Sequence, residues 1–422
     1  MYHSLEIGKA FQDEQSHIRK RIMKKYIPWH TTFLLVLLAL SVQGCLGNSN
    51  TTTNQNFQNV HTNTGQNLQV NASNSALFSG KIYFTQGRNL LVIDGSRNVR
   101  QLTRGYDIRD PAVSPDGRNV AFVVRYKYSA LLVYMPINNT SPHWTVLRDG
   151  SGKYVPNPPY PAPISTHNWY AQPAWATDNT HLLFLSDLEK LTVNPGVDSQ
   201  LLDMQVFSLS IHSPNTTQEV AYATFGDGGD RDATYRPGHN QVVYTHYMYD
   251  SSQTQQVIQI YLIDANALVN NPGKYHPGVG EDSPAVALTP ASTSVANLMP
   301  AFSPDGNSLA YIRRIDASTM GLYAMSIPSN IVTDPNSSSF QKSALQSYQH
   351  SSLLIKGQYI SQPIWSPDGK QIAYLYYENN EFDIWIANVT TDPKTGAYSV
   401  KGDPVPLTNG GIDADSRPFW TK

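Results

Sequence analysis

The segment QPIWSPDG at residues 362–369 recurs along the chain in recognisable variants. The other copies read DPAVSPDG (110–117), QPAWATDN (172–179), DATYRPGH (232–239), MPAFSPDG (299–306) and, cut short by the C-terminus, RPFW (417–420). The second positions of successive copies lie 55 to 67 residues apart. A period this regular is typical of propeller blades or solenoid units, so the sequence predicts six of them.

Each repeat carries the same order of strand and turn signals. In the last complete copy, SPDG predicts a turn, because Pro fixes φ and Gly accepts a left-handed backbone. Apolar segments at 372–377, 383–389 and 404–408 predict three further strands, with a hairpin at ENNEF (378–382). Four antiparallel strands form one propeller blade, which makes the predicted fold all-β.

The two ends of the domain complement each other. Residues 79–104 contain only three strand signals and no preceding copy of the repeat, whereas 417–420 contain a first strand and nothing after it. We therefore expect the C-terminal strand to complete the N-terminal blade and to close a six-bladed ring, which removes exposed strand edges. The alternative is an open solenoid, whose terminal repeats would cap the array instead of pairing.

The repeat resembles that of TolB-type β-propellers, PxWSPDGxxIAF followed by an IY strand and a closing LT. The resemblance covers residues 79–422 and is close in the copies that begin at Asp110, Met299 and Gln362. It weakens at 177–179 and 236–239, where TDN and RPGH replace or shift the PDG turn. The resemblance implies the propeller fold and an extracytoplasmic setting. It leaves function open, because such blades occur in periplasmic adaptor proteins, peptidase propellers and pectate-degrading lyases.

The N-terminal region has the features of a lipoprotein signal peptide. Lys24 and Lys25 precede an apolar run at 33–40, and VQGC at 42–45 resembles the bacterial lipobox. The run is shorter than the roughly 20 residues that span a bilayer, which disfavours a transmembrane helix. We expect 23–45 to be the signal, Cys45 to carry the lipid anchor and residues 1–22 to lie upstream of the true start. Cys45 is the single cysteine of the chain, so no intramolecular disulfide forms.

Residues 46–78 contain no charged side chain and consist mainly of Asn, Thr, Gln, Ser and Gly. Such a segment buries too little apolar surface to fold, so we expect a disordered polar tether between the membrane and the propeller, which occupies 79–422. The chain has 30 basic and 32 acidic residues, and residues 1–44 hold six and three of them, which leaves 24 against 29. This net charge of about −5 disfavours nucleic acid as a partner.

Several enzyme classes lack their motifs in this sequence. There is no GxSxG nucleophile elbow, no HExxH and no phosphate-binding glycine loop. A metal-dependent lyase needs no contiguous motif. The resemblance implies widely spaced histidine ligands for such a lyase, and the middle of the domain contains candidates for them. The candidates are His212, His239, His246 and His276. Their spacings match no pair of metal ligands on one strand, which favours surface or hydrogen-bonded roles over metal binding.

Pairs of aspartates precede three of the inner strands. Because the inner strands line the channel, we expect their carboxylates to crowd one mouth and to suit a divalent cation, which prefers oxygen ligands, or a cationic side chain. The alternative, which we favour, is that they brace loops through backbone N–H groups and the adjacent Arg109, Arg231 and Arg417. The six residues are Asp107, Asp110, Asp230, Asp232, Asp413 and Asp415.

Tyrosines and arginines lie in the hairpins that join the second and third strands of the blades. We expect these hairpins to lie on the same face of the propeller as the aspartate mouth. Such residues dominate binding interfaces, because they combine contact area with a polar tip. A propeller rim that is merely rich in hairpin tyrosine is the alternative. The candidate binding rim consists of Tyr126, Tyr128, Tyr247, Tyr249, Arg313, Arg314, Tyr376 and Tyr377, with Lys127 and the Pro/Tyr-rich stretch 154–170 beside it.

Two functions follow from these patterns. The first is a membrane-anchored, non-catalytic binding or adaptor module for a protein, a peptide or a glycan of the cell envelope, acting as a monomer without a required cofactor. The second is a polysaccharide lyase or hydrolase-like enzyme that uses the channel. We favour the first, because an acidic polymer requires a basic cleft, which six aspartates at the mouth do not supply.

Overall fold

The computed structural model describes residues 77–138, 143–156, 164–188, 203–224, 226–275 and 283–422. All of them lie in one compact unit, Asn63–Lys422. The predicted signal peptide, Cys45 and nearly all of the tether lie outside the described residues and stay predictions. Within the described part of the chain, no helix has the length and apolar character needed to cross a membrane.

The first three blades contain the N-terminal half of the domain. Blade 1 consists of β1 (Lys81–Gln86), β2 (Asn89–Asp94), β3 (Val99–Gln101) and the last strand of the chain, β27 (Phe419–Thr421). Blade 2 consists of β4 (Asp107–Val113), β5 (Asn119–Arg125), β6 (Ala130–Pro136) and β7 (Thr145–Asp149). A ribbon of β8 (Tyr154–Val155) and β9 (Ile164–Ser165) precedes blade 3, which consists of β10 (Tyr170–Trp175), β11 (His181–Ser186), β12 (Gln205–Ser210) and β13 (Ser213–Ala221).

The other three blades complete the ring. Blade 4 consists of β14 (Asp230–Tyr235), β15 (Gln241–Tyr249), β16 (Gln256–Asp264) and β17 (Val286–Ala287). Blade 5 consists of β18 (Ala296–Phe302), β19 (Ser308–Arg314), β20 (Met320–Ser326) and β21 (Ser352–Gly357), with helix α1 (Gln346–Gln349) before its last strand. Blade 6 consists of β22 (Ile360–Trp365), β23 (Gln371–Glu378), β24 (Glu381–Thr391), β25 (Tyr398–Val400) and β26 (Val405–Pro406).

The predicted six-bladed ring and its closure are confirmed. Strand β27 pairs antiparallel with β1, placing Trp420 opposite Ile82 and Phe419 opposite Tyr83. Each first strand also contacts the first strands of the two neighbouring blades, including β22 with β27 and β27 with β4, so these six strands surround the central channel. The open-solenoid alternative is therefore wrong.

The tryptophan of the repeat joins neighbouring blades. The indole N–H of Trp175 in blade 3 donates to the Ala112 carbonyl of blade 2 at 3.0 Å, and that of Trp365 in blade 6 donates to Ala301 of blade 5 at 3.1 Å. Both tryptophans are buried in the apolar cores between blades. A side chain that is large, apolar and able to donate one hydrogen bond suits this position, which explains its recurrence.

Two details differ from the predicted blade. The fourth strand of blade 6 is split, because β25 pairs with the far half of β24 while β26, within the predicted 404–408 segment, pairs with Trp385 and Ile386. The β8–β9 ribbon was not predicted. The hairpin at ENNEF follows the sequence, since Asn379 and Asn380 both adopt positive φ, as the favoured two-residue hairpin turn requires.

Candidate functional site

In five blades, the first residue of the repeat segment has an unusual backbone conformation. Its φ is positive, between 48° and 59°, and the pairing register shifts at this point, so each inner strand contains a β-bulge. Four of the five bulges are followed by proline, which has no N–H to leave unpaired in the disrupted ladder. The five bulge residues are Asp110, Gln172, Asp232, Met299 and Gln362.

The bulges form a hydrogen-bonded belt around the channel, which we call the bulge belt. The backbone N–H of each bulge residue donates to a side chain of the preceding blade: Gln172 to Asp110 at 3.0 Å, Asp232 to Gln172 at 2.6 Å, and Met299 to Thr245 at 3.0 Å. The side chain of Thr245 in turn donates to Asp232 at 2.9 Å. The belt therefore links the blades through contacts between residues far apart in sequence.

Arg417 crosses the channel at the level of the bulge belt. It belongs to blade 1, yet its guanidinium donates to the carbonyls of Pro173 at 3.0 Å and Ala233 at 3.3 Å, in blades 3 and 4. Burial lowers the pKa of Arg417, while Asp110 and Asp232 oppose that shift. A charged side chain with carbonyl partners therefore spans the channel at this level, from blade 1 to blades 3 and 4.

Three of the six predicted mouth aspartates surround one arginine. Arg109 lies 2.9 Å from Asp107, 3.3 Å from Asp413 and 3.2 Å from Asp415, and its side chain is only 6% exposed. Arg125 adds a second ion pair with Asp415 at 2.8 Å. These carboxylates therefore neutralise the buried guanidinium of Arg109 and the half-buried one of Arg125, and they tie the segment before β27 to blade 2.

The other three aspartates are buried in different surroundings. Asp110 and Asp232 belong to the bulge belt, and burial raises the pKa of Asp110 although the Arg417 N–H opposes the shift. Asp230 is fully buried and accepts from Nδ1 of His246 at 2.7 Å, across the β14–β15 pair. Burial raises the pKa of Asp230, and the charge of His246 opposes it.

The predicted aspartate cluster is thus divided among three environments. Among the described residues, no group of three or more acidic, histidine or cysteine side chains has a metal-binding arrangement. His246 pairs with Asp230, whereas His212 and His239 lie at the turns β12–β13 and β14–β15; His276 lies outside the described residues. The channel-mouth cation stays a prediction.

The rim candidates of blade 2 expose an aromatic surface. Tyr126 and Tyr128 in the β5–β6 hairpin are 49% and 47% exposed, and Tyr154 of the β8–β9 ribbon is 52% exposed. The rings of Tyr128, Tyr154 and His167 contact one another with centroids 5.4 to 6.2 Å apart. Lys127 lies over the Tyr128 ring at 4.8 Å. We call Tyr126, Tyr128, Tyr154 and His167 the aromatic patch.

Two of the rim candidates do not present their side chains to solvent in this way. Tyr247 is 6% exposed, and its ring lies beneath the guanidinium of Arg231 at 5.6 Å. The guanidinium of Arg313 lies 3.9 Å from the ring centre of Tyr323 and 4.3 Å from that of Tyr348. Both side chains therefore pack within the protein, because neighbouring aromatic and cationic groups cover them.

The remaining rim candidates are half-buried. Tyr376 packs on Trp385 at 5.5 Å, and Tyr377 packs on Phe382 at 5.0 Å. Tyr249 and Arg314 end β15 and β19, on the same face as the aromatic patch. Neither the place of His167 in the aromatic patch nor the reach of Arg417 across the channel was predicted from the sequence. The signal for Arg417 was present, since it stands at the bulge position of the sixth copy.

The chain matches no established protein-family model. Among solved structures it is similar to TolB from Acinetobacter baumannii, with a TM-score of 0.50, 16% identity, and coverage of 81% of this chain and 66% of that chain, just under two thirds. It is also similar to an oligogalacturonate lyase in complex with manganese (TM-score 0.41, 13% identity, 74% and 69% covered) and to a chain of a nidogen/laminin complex (0.44, 10%, 76% and 98%). At these identities the likeness shows the fold alone, which is a six-bladed, TolB-like β-propeller.

Proposed function

We propose that this protein is a non-catalytic binding module, anchored outside a bacterial membrane through Cys45, that docks a protein, peptide or glycan of the cell envelope on its mouth face. The aromatic patch carries this proposal. Exposed tyrosines supply large contact areas with few rotatable bonds, and three of them lie within one blade and its adjoining ribbon.

The side chains that cross the channel and pair at its mouth support docking on the face over chemistry inside the ring. Arg417 reaches across the channel, and the carboxylates of Asp107, Asp413 and Asp415 are engaged by Arg109 and Arg125. A general acid or base must reach the proton that it transfers, and carboxylates already held in ion pairs meet that requirement poorly. The lyase remains the second candidate, to be separated by experiment.

Site-specific photo-crosslinking in cells tests the docking face. A photoreactive amino acid that replaces Tyr126 or Tyr154 in the full-length protein should give a discrete adduct. The same photoreactive amino acid in place of Lys394, in an exposed turn of the opposite face, should give none. Equal adducts from both faces, or none from the patch, would contradict the proposal.

A second experiment separates binding from catalysis and tests the anchor. Incubation of the full-length protein with polygalacturonate and related glycans should yield no ultraviolet-absorbing unsaturated product; such product would establish the lyase instead.

The variant Cys45→Ser should move the protein from the membrane fraction to the soluble fraction, because the thioether-linked lipid needs the sulfur. Retention in the membrane would overturn the lipid anchor.

A further inference from the structure

The arginines around the mouth form direct ion pairs on one side of the ring and none on the other among the described residues. On blades 1 and 2, Arg109 and Arg125 form ion pairs with three aspartates. On blades 4 and 5, Arg231 and Arg314 take part in none of the ion pairs found among the described residues. Neither guanidinium group is therefore held by a direct ion pair with a described residue at this side of the mouth.

Both arginines approach the same tyrosine. The guanidinium of Arg231, at the start of β14, lies 5.6 Å from the ring centre of Tyr247. Arg314 ends β19 opposite Ala296, and Ala296 packs against Tyr247 in a small apolar cluster. Burial raises the pKa of the Tyr247 hydroxyl, while the charges of Arg231 and Arg314 both lower it. The ring contact of Arg231 and the strand register of Arg314 thus place both arginines beside Tyr247.

The unused donors are accessible. The one hydrogen bond from the Arg231 side chain among the described residues is a long one, 3.4 Å from Nη2 to the Gly228 carbonyl, and Arg314 makes none. Both residues are half-buried, and neither contributes to the buried polar atoms that lack a partner. Their remaining N–H groups therefore face solvent, where an incoming group reaches them.

We propose that Arg231 and Arg314, with Tyr247 between them, form a subsite that binds a carboxylate group of the docked partner. Guanidinium groups bind planar carboxylates through paired, charge-assisted hydrogen bonds. The carboxylates of Asp230 and Asp232 offset part of the positive charge here, which suits a monoanion better than a phosphate dianion. This inference rests on docking at the mouth face and adds the chemistry of the ligand.

Acetate is the probe for this subsite, used with the full-length protein in detergent at constant ionic strength. Saturation-transfer NMR should detect acetate but not acetamide, and 100 mM acetate should raise the Tm by about 2 °C if the Kd is ~10 mM. Arg231→Gln and Arg314→Gln should each remove both responses. Arg118→Gln, at an 83% exposed side chain in a turn of the opposite face, should retain them.

Two further probes distinguish the source of the carboxylate. N-acetylalanine represents a peptide C-terminus and galacturonate represents an acidic sugar; tighter binding of one identifies the partner class. Unchanged responses in both arginine variants, or a larger effect of phosphate than of acetate, would overturn the subsite. If crosslinks from the aromatic patch persisted alongside such a result, the subsite would fail and the docking function would be retained. Failure of the subsite and failure of the docking function are therefore distinguishable.

Discussion

The backbone N–H of Arg417 donates to Oδ1 of Asp110 at 2.8 Å, between residues 307 positions apart. The other oxygen of the same carboxylate accepts the N–H of Gln172 at 3.0 Å. One buried side chain of blade 2 therefore holds the inner strands of blades 1 and 3. It joins the closing strand to the ring independently of the three residue pairs between β27 and β1.

Removal of this carboxylate should weaken ring closure. We expect Asp110→Ala to lower the free energy of unfolding by about 2–4 kcal/mol, because two part-buried N–H groups lose their carboxyl acceptor. Urea unfolding followed by tryptophan fluorescence measures the loss. Asp392→Ala, at an exposed turn aspartate, serves as the control and should cost less than about 1 kcal/mol. Equal losses in the two variants would show that the Asp110 contacts add nothing.

The inter-blade bond of the repeat tryptophan predicts a specific loss. Trp365→Phe keeps an aromatic ring but leaves the Ala301 carbonyl without its donor, so we expect about 1–2 kcal/mol less stability. Trp144→Phe is the matched control, since its indole nitrogen has no protein partner within the described residues and its ring packs on Phe122. A larger effect in Trp144→Phe than in Trp365→Phe would refute the bonding role.

Blade 4 replaces the first residue of SPDG with Arg236, which is fully buried. Its guanidinium donates to Gly306 at 2.8 Å and Pro328 at 3.1 Å, both in blade 5, and to Gln241 at 3.0 Å. Arg236→Met should cost about 2–4 kcal/mol, because buried carbonyls lose their donors. Arg236→Ser restores the serine that the SPDG turn has in other blades, and we expect this variant to remain less stable than the wild type. Calorimetry measures the difference, and wild-type stability in Arg236→Ser would contradict the prediction.

Asp230 predicts a pH dependence of stability. Its folded pKa is raised above the ordinary 3.8 by burial, so the folded state holds the proton more tightly than the unfolded state. The resulting stabilisation is present below the unfolded pKa and is lost as pH rises through the folded value. Urea midpoints from pH 4 to 7 should therefore fall more steeply in the wild type than in Asp230→Asn. Parallel curves would count against this titration.

Some of the mouth was predictable from sequence because its residues occupy fixed places in the repeat. Asp110, Asp232 and Arg417 stand at the same repeat position, so their presence on inner strands follows from the period alone. Their roles did not follow, because each is decided by a side chain on another blade. Tyr247 illustrates the same limit: its hairpin position predicts exposure, but Arg231 and the 4–5 blade contact bury it.

The spacing of the repeats, together with the missing strand at one end and the surplus strand at the other, determined six blades and a closed ring without any coordinates. Tertiary structure decided which charges are neutralised, which tyrosines reach solvent and that Arg417 reaches across the channel. The physical reason is that strand pairing within a blade depends on local patterns of apolar and turn residues. The contacts of the mouth join side chains across blades, where bulge geometry and burial determine the partners.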